Sequence, residues 1–149
     1  MKYDNLPVDV LKSVGEYLQT YFEANLPIKF FFEEARVEGL GPNTVEIRFD
    51  GPDVDEISNK QYLVTLNVDL LVTMERTANI FDRQKVLGIC KESLNNDIPL
   101  YVNSELVGGL STSIPFGGTE KIRVANYGQV HKDRQVLHSS VFTKLHILI

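Results

Sequence analysis

The strongest pattern in the chain is an unbroken alternation of apolar and other residues between Tyr62 and Met74. Every second residue of this stretch is apolar, so the apolar positions share one face of a β-strand. The positions between them are mixed, which indicates a sheet with one face open to water. At about 3.3 Å per residue the strand would be roughly 40 Å long, whereas most strands have about five or six residues. A strand this long outgrows the core of a small domain and favours a role in assembly over catalysis.

Two segments show the apolar spacing that is typical of amphipathic helices. The first helix is predicted at about 7–24, where Asn5 and Pro7 provide a start signal. The second is predicted at about 79–95, just after the long strand, which is predicted at about 60–76. Both helices are expected to pack on the apolar face of that strand.

The other elements are predicted to be strands, and two segments are predicted to be loops. The strands lie at 28–33, 44–49, 98–102, 121–125 and about 134–149, and the first two are expected to form a hairpin. Residues 50–60 are polar and rich in turn residues, which indicates a loop. Residues 103–119 show no periodicity and hold two Gly-Gly pairs, which is typical of an extended or mobile loop.

The order of these elements predicts a single α+β domain over residues 1–149, with an antiparallel or mixed sheet. The hydrophobic fraction of 43% is sufficient for one core of ordinary size. No apolar run approaches the roughly 20 residues that cross a bilayer, and the N-terminal residues lack a hydrophobic signal core. We therefore expect a soluble protein without an export signal.

The net charge of −5 is unevenly distributed along the chain. Residues 1–120 carry 10 Lys and Arg against 19 Asp and Glu, whereas residues 121–149 carry 5 against one. One interpretation is electrostatic pairing between an acidic surface of one subunit and a basic surface of the next. The other is that these charges line the solvent face of the C-terminal strands. Nucleic-acid recognition is disfavoured, because the chain is acidic and has no dense basic stripe.

The residues that could support catalysis or metal binding do not form a recognisable motif. The acidic residues between Asp50 and Glu56 lack the order of a calcium loop, and the three histidines are too widely spaced for a metal turn. The single cysteine, Cys90, lies on the apolar stripe of the second helix, where a thiol behaves as a small hydrophobic group. No catalytic residue, metal or cofactor is therefore expected, and the chain is predicted not to be an enzyme.

The order and size of the elements resemble those of the tail terminator (tail completion) proteins of long-tailed bacteriophages. The resemblance covers nearly the whole chain, with Leu11 to Phe22 as the first helix, Tyr62 to Met74 as the long strand and Ile80 to Leu94 as the second helix. It rests on element order rather than on a residue motif. It implies a structural virion protein that forms a six-fold ring, caps the finished tail tube and joins it to the head.

The same resemblance implies a virion protein of the tail or neck that is synthesised in the host cytoplasm. Its partners would be further copies of itself, the tail tube protein and the head-completion or neck protein. DNA would pass through the lumen without specific binding, and no membrane is involved. The residues expected to make contacts between subunits, or with tail and neck, are Asp50, Asp53, Asp55, Glu56, Ile114, Phe116, Lys121, Arg123, Lys132 and Arg134.

Two alternatives to a tail terminator stay open at this point. The chain could be another neck or tail tube component of the same kind of particle. It could also be a small ligand-binding or enzymatic α+β domain, with a pocket between the sheet and the helices. The residues expected to converge on that pocket are Tyr62, Tyr101, Tyr127, His131 and His138.

Overall fold

The computed structural model of the chain describes residues 5–33, 43–58, 61–74, 80–112, 122–126 and 134–146. Its elements in chain order are α1 (Leu6–Asn25), β1 (Lys29–Phe32), β2 (Thr44–Ser58), β3 (Gln61–Thr73), α2 (Ile80–Asn95), β4 (Ile98–Val102), β5 (Glu105–Thr112), β6 (Ile122–Asn126) and β7 (Arg134–His146). The fold is α+β with a mixed sheet, which confirms the predicted class.

Helix α1 forms where apolar residues recur every three or four positions. Pro7 lies in its first turn, where the missing N–H costs nothing, and the N–H of Leu26 closes the end on the carbonyl of Phe22 at 2.9 Å. The Asn5 side chain makes no capping hydrogen bond. The buried apolar stripe of the helix consists of Leu6, Val10, Val14, Leu18 and Phe22.

Strand β3 lies inside the sheet, whose order is β1-β2-β3-β7-β5-β4, and β6 also pairs with β7. Both neighbours of β3, β2 and β7, are antiparallel to it and follow it along nearly its whole length. The alternation predicted from the sequence is confirmed, since Val64, Leu66, Val68, Leu70 and Val72 are all buried. The opposite face of β3 is half-buried or exposed, as its mixed composition indicates.

The expected hairpin between the first two strands is wrong, because β1 and β2 pair in parallel. Phe30 lies beside Val45 and Phe32 beside Ile47, so both strands run in the same direction. A parallel pair needs a longer connection than a hairpin turn. The chain between Phe32 and Thr44 provides that length, although residues 34–42 lie outside the described residues.

The loop expected at 50–60 is also wrong, because β2 continues to Ser58 and pairs with β3. Asp50 pairs with Asn67 and Asp53 with Thr65, so β2 has one extra residue between these pairs. This β-bulge contains Gly51 and Pro52, the residues that made the segment resemble a turn. The extra residue shifts the alternation by one position, which hides the strand from a period-two analysis.

The non-periodic segment at 103–119 begins with a tight turn followed by strand β5, not with an extended loop. Asn103 and Ser104 have positive φ angles of 51° and 66° and form the tight turn between β4 and β5. Residues 105–109 are all exposed, so β5 has no alternation that the sequence could reveal. Residues 113–121, which include Ile114 and Phe116, lie outside the described residues.

The sheet curves around α1. This helix contacts β4 near one side of the sheet and β2 near the other, although three strands separate them in the sheet order. Helix α2 contacts β3, β5 and β7, and both helices share one hydrophobic core with the apolar face of β3. In the described part of the chain, neither helix combines the length and apolar character needed to cross a bilayer.

Candidate interaction surface

The described strands cover the outer edge of β2 over only part of its length, and we call the remainder its open edge. Strand β1 pairs with β2 from Thr44 to Ile47, and among the described strands only β3 pairs with β2 from Arg48 to Ser58. An uncovered strand edge presents unpaired N–H and C=O groups and is a ready site for another strand.

This open stretch of β2 is acidic. Asp50, Asp53, Asp55 and Glu56 are all exposed. The bulge puts Asp50, Asp53 and Asp55 on one face, because they pair with Asn67, Thr65 and Leu63, which alternate along β3. Glu56 pairs with Tyr62 and therefore belongs to the other face. The structure thus brings together three of the four predicted acidic contact residues.

The predicted basic residues that fall within the described chain lie on the other side of β3. Arg123 is in β6, in register with His138 of β7, and Arg134 begins β7 in register with Thr73. Among the described strands β6 pairs with β7 alone, so no described strand covers its other edge, which we also call open. Lys121 and Lys132 lie outside the described residues.

The strand register aligns acidic and basic positions in rows across the sheet. One row contains Arg48 of β2, Asp69 of β3, His138 of β7 and Arg123 of β6. The three aspartates on β2 and the basic position on β6 therefore mark two open edges at opposite ends of the β2-β3-β7-β6 series. The two edges are chemically different, which is the arrangement that a head-to-tail contact between identical copies requires.

Arg48 lies where the open edge begins and holds two carboxylates that the sequence analysis did not single out. Its Nε donates a hydrogen bond to Glu46 Oε2 in an ion pair, and it lies 4.0 Å from Glu33 Oε1. Glu46 is only 9% exposed, so Arg48 compensates a nearly buried charge. The alternation of charged Glu46 and Arg48 with apolar Val45 and Ile47 was visible in the sequence, but their pairing was not.

A groove of about 450 Å³ lies between α1 and the β1–β2 side of the sheet. Its floor is apolar and its α1 rim is polar, with Gly15 of α1 leaving room above the ring of Phe32. The groove lies where β1 ends and the open edge of β2 begins. Its lining residues are Leu11, Lys12, Gly15, Glu16, Gln19, Phe32, Glu33, Ile47, Phe49 and Gly51.

Among the pocket residues expected for a ligand-binding domain, Tyr62 and Tyr101 are described and do not line this groove. Tyr62 is a half-buried residue of β3, and Tyr101 is an exposed residue of β4 whose register partner is Leu106. His138 lies in β7 beside Asp69, while Tyr127 and His131 lie outside the described residues. The described lining of the groove therefore includes neither Tyr62 nor Tyr101.

The thiol and two phenols of the helices have shifted pKa values. Burial raises the pKa of Cys90 from 9.0 to about 12, so the thiol stays protonated and is a poor nucleophile at neutral pH. Burial also raises the pKa of Tyr17, whose hydroxyl donates a hydrogen bond to the carbonyl of Ser93 at 2.8 Å. The pKa of Tyr21 is raised for the same reason, although Tyr21 is less buried. Within the described ranges, no group of three or more His, Cys, Asp and Glu side chains is placed to hold a metal ion.

Comparison with known proteins gives little further information. No family model matches the chain, and no curated protein matches it. Several solved structures do match, and one of them shares 7% identity over 91% of this chain and 97% of its own, with a TM-score of 0.45. A likeness at this level identifies neither a fold family nor a function for this chain.

Proposed function

We propose that this chain is the subunit of a homo-oligomeric ring of six copies that terminates a bacteriophage tail tube and joins it to the head connector. The observation that carries the proposal is the pair of chemically different open edges, acidic on β2 and basic on β6, within one sheet. Unlike edges make a heterologous contact, and a heterologous contact that closes generates a ring.

The strand directions support this assembly. Strands β2 and β7 run in one direction and β3 and β6 in the other. A second copy that continues the sheet by rotation about a ring axis at an acute angle to the strands therefore places its β6 antiparallel to β2 of the first copy. Antiparallel pairing gives perpendicular hydrogen bonds and is slightly more stable per residue than parallel pairing.

The charge distribution supports the same role. A net charge of −5 keeps the protein from adhering to the phosphate backbone, because there is no excess of Lys and Arg to release counterions. A ring through which DNA must pass benefits from such a surface. The role as terminator, rather than as another neck or tail tube component, rests on the resemblance in element order.

The test is to measure the mass of the purified full-length protein by size exclusion with light scattering, and to image it by negative stain with and without a bacteriophage tail tube protein. We expect rings of about six copies, either alone or on the ends of tail tubes. A monomer at every concentration, with no ring on tube ends, would contradict the proposal.

Charge reversal provides a sharper version of this test. The double variant Asp53→Lys and Asp55→Lys places like charges on both edges and is expected to abolish ring formation at low salt. The double variant Asp82→Lys and Glu92→Lys makes the same change in net charge on the exposed side of α2 and serves as the matched control. Equal assembly of the two proteins would remove the main support for the proposal.

A small-molecule role is the second candidate, and the groove beside α1 is the observation that favours it. Its volume of about 450 Å³ falls within the range of roughly 300–1,000 Å³ that is usual for ligand sites. Binding of a compound by the wild type but not by a groove-filling variant such as Gly15→Leu, detected by thermal shift with a metabolite panel, would favour this role.

A further inference from the structure

The groove beside α1 and the open edge of β2 are parts of one feature. Strand β1 ends at Phe32, and from Arg48 onward no described strand lies on the side of β2 where β1 pairs with it. We call this position beside β2 the lane. The groove lies beside that vacated lane, since Phe32, Ile47 and Phe49 line it from the sheet and Leu11 and Gly15 line it from α1. A strand added in this lane would pair with β2 and cover the groove.

We infer that strand β6 of a neighbouring copy occupies this lane, where it pairs antiparallel with β2 and covers the groove with its apolar face. This inference rests on the proposed ring and names the contact that closes it.

Sequence pattern and charge identify β6 as the occupant. Strand β6 reads Ile-Arg-Val-Ala-Asn, in which Ile122 and Val124 alternate with Arg123 and Ala125. An added strand with this pattern has one apolar face and carries Arg123 on the other. The apolar face suits the floor of the groove, and Arg123 suits Asp50, Asp53 and Asp55, which lie on the opposite face of β2 from Phe49 and Ile47.

The register sets how the copies must be staggered. Through β7 and β3, the centre of β6 lies level with Ile47, whereas the centre of the open edge lies about five residues further along β2. Five residues along a strand correspond to about 17 Å, and the four strands β2, β3, β7 and β6 of each copy span about 19 Å across the sheet. These two lengths require the strands to tilt by about 40° from the ring axis, within the range of about 35–45° that closed sheets adopt. The contact is therefore compatible with a closed ring.

Gly15 offers a matched pair of variants. A Cβ at this position would lie 4.0 Å from Phe32 Cε1, an ordinary contact, so Gly15→Ala fits without filling the groove. Gly15→Leu extends into the groove and competes with the neighbour. We expect Gly15→Ala to assemble as the wild type does, and Gly15→Leu to fold but to weaken self-association at least tenfold in light scattering.

Crosslinking identifies the occupant directly. Two single variants are mixed and oxidised, one carrying Arg123→Cys and the other Asp50→Cys, Asp53→Cys or Asp55→Cys. At least one pair is expected to give dimers on a non-reducing gel, because paired strands bring Cα atoms within the roughly 4.4–6.8 Å that a disulfide spans. The buried Cys90 is present in every protein, so the wild type gives the background.

A comparison site guards against non-specific crosslinking. Leu106 lies in β5 beside the tight turn and is 63% exposed. The variant Leu106→Cys therefore reports on a surface other than the edge of β6. If rings form but Arg123→Cys never crosslinks to β2, or Leu106→Cys crosslinks to β2 instead, the inference is overturned while the proposed ring stands. If no oligomer forms under any condition, both are overturned.

Discussion

Ser13 of α1 and Tyr101 of β4 are joined by two hydrogen bonds between a side chain and a backbone. The N–H of Tyr101 donates to Ser13 Oγ at 3.0 Å, and the Ser13 hydroxyl donates to the carbonyl of Tyr101 at 3.3 Å. Strand β4 is the last strand of the sheet order on its side, so Ser13 supplies the partners that a further strand would otherwise provide. This edge is therefore protected, in contrast to the open edges of β2 and β6.

The substitution Ser13→Ala is expected to lower the free energy of unfolding by about 1–3 kcal/mol, because Ser13 is only 5% exposed and the backbone groups of Tyr101 lose their hydrogen-bond partner. Urea denaturation followed by circular dichroism measures the change. Gln19→Ala is the control, since it removes an exposed hydrogen bond to Glu23 on the same helix and is expected to change stability by less than about 0.5 kcal/mol. Similar losses for the two variants would show that Ser13 does not secure β4.

The substitution Arg48→Met is expected to destabilise the protein by about 1–3 kcal/mol, because it leaves the nearly buried carboxylate of Glu46 without its partner. The double variant Arg48→Met with Glu46→Gln should recover part of the loss. Glu33→Gln is the matched control, since Glu33 is exposed and 4.0 Å from Arg48 and should contribute less than about 1 kcal/mol. A double-mutant cycle by chemical denaturation measures the coupling free energy between Arg48 and Glu46, and a value near zero would contradict the prediction.

Replacement of Gly51 by Ala tests the bulge that orients the acidic edge. Gly51 has a φ of 106°, and a Cβ there would lie 3.1 Å from the Asp53 nitrogen and 3.4 Å from the Thr65 oxygen. We expect a loss of about 1–3 kcal/mol in thermal or urea unfolding. Gly88→Ala in α2 is the control, since nothing lies within 4 Å of its Cβ and Ala favours a helix by about 1 kcal/mol. Equal effects of the two substitutions would argue against strain at Gly51.

The elements that the sequence predicted well are those whose burial follows a regular period. Strand β3 is paired on both sides and buried on one face, so its alternation is complete and gives the strand nearly to the residue. Helix α1 is similar, because its buried stripe runs from Leu6 to Phe22. In both elements one face is buried along the whole segment, so the apolar residues recur with a single period.

The elements that the sequence did not predict are those where the period breaks or burial is lacking. In β2 the extra residue at Gly51 and Pro52 separates Phe49 from Val54 by five positions, which no single strand period produces. In β5 the exposed stretch beside Gly108 and Gly109 carries no pattern at all.

Pairing partners were not predictable from local patterns. The parallel arrangement of β1 and β2 depends on the route of the chain between them, and the groove depends on the distance between Gly15 and Phe32. Composition alone marks the acidic residues of β2 as contact candidates. Which of them share a face follows only from the strand register, because it depends on how β2 is aligned with β3.

The burial of Cys90 predicts how stability changes at high pH. Its pKa is about 12 in the folded protein and 9.0 when unperturbed, so above pH 9 the unfolded chain binds fewer protons than the folded one. The stabilisation is complete below pH 9 and is lost as the pH rises toward 12, by at most about 1.4 kcal/mol per pH unit. Urea unfolding between pH 8 and 10.5 should therefore show a steeper loss for the wild type than for Cys90→Ala.

The raised pKa values of Tyr17 and Tyr21 act in the same direction, and both tyrosines are present in the two proteins. Because Cys90 contributes to the raised pKa of Tyr21, the difference in slope reports on Cys90 together with its effect on Tyr21. A thiol reagent at pH 8 provides an independent measurement, since the 0% exposed side chain should react only after the protein is denatured. If the native thiol reacts as fast as that of an unfolded peptide, or if the two slopes agree, then Cys90 is accessible in solution and α2 does not hold it in the core.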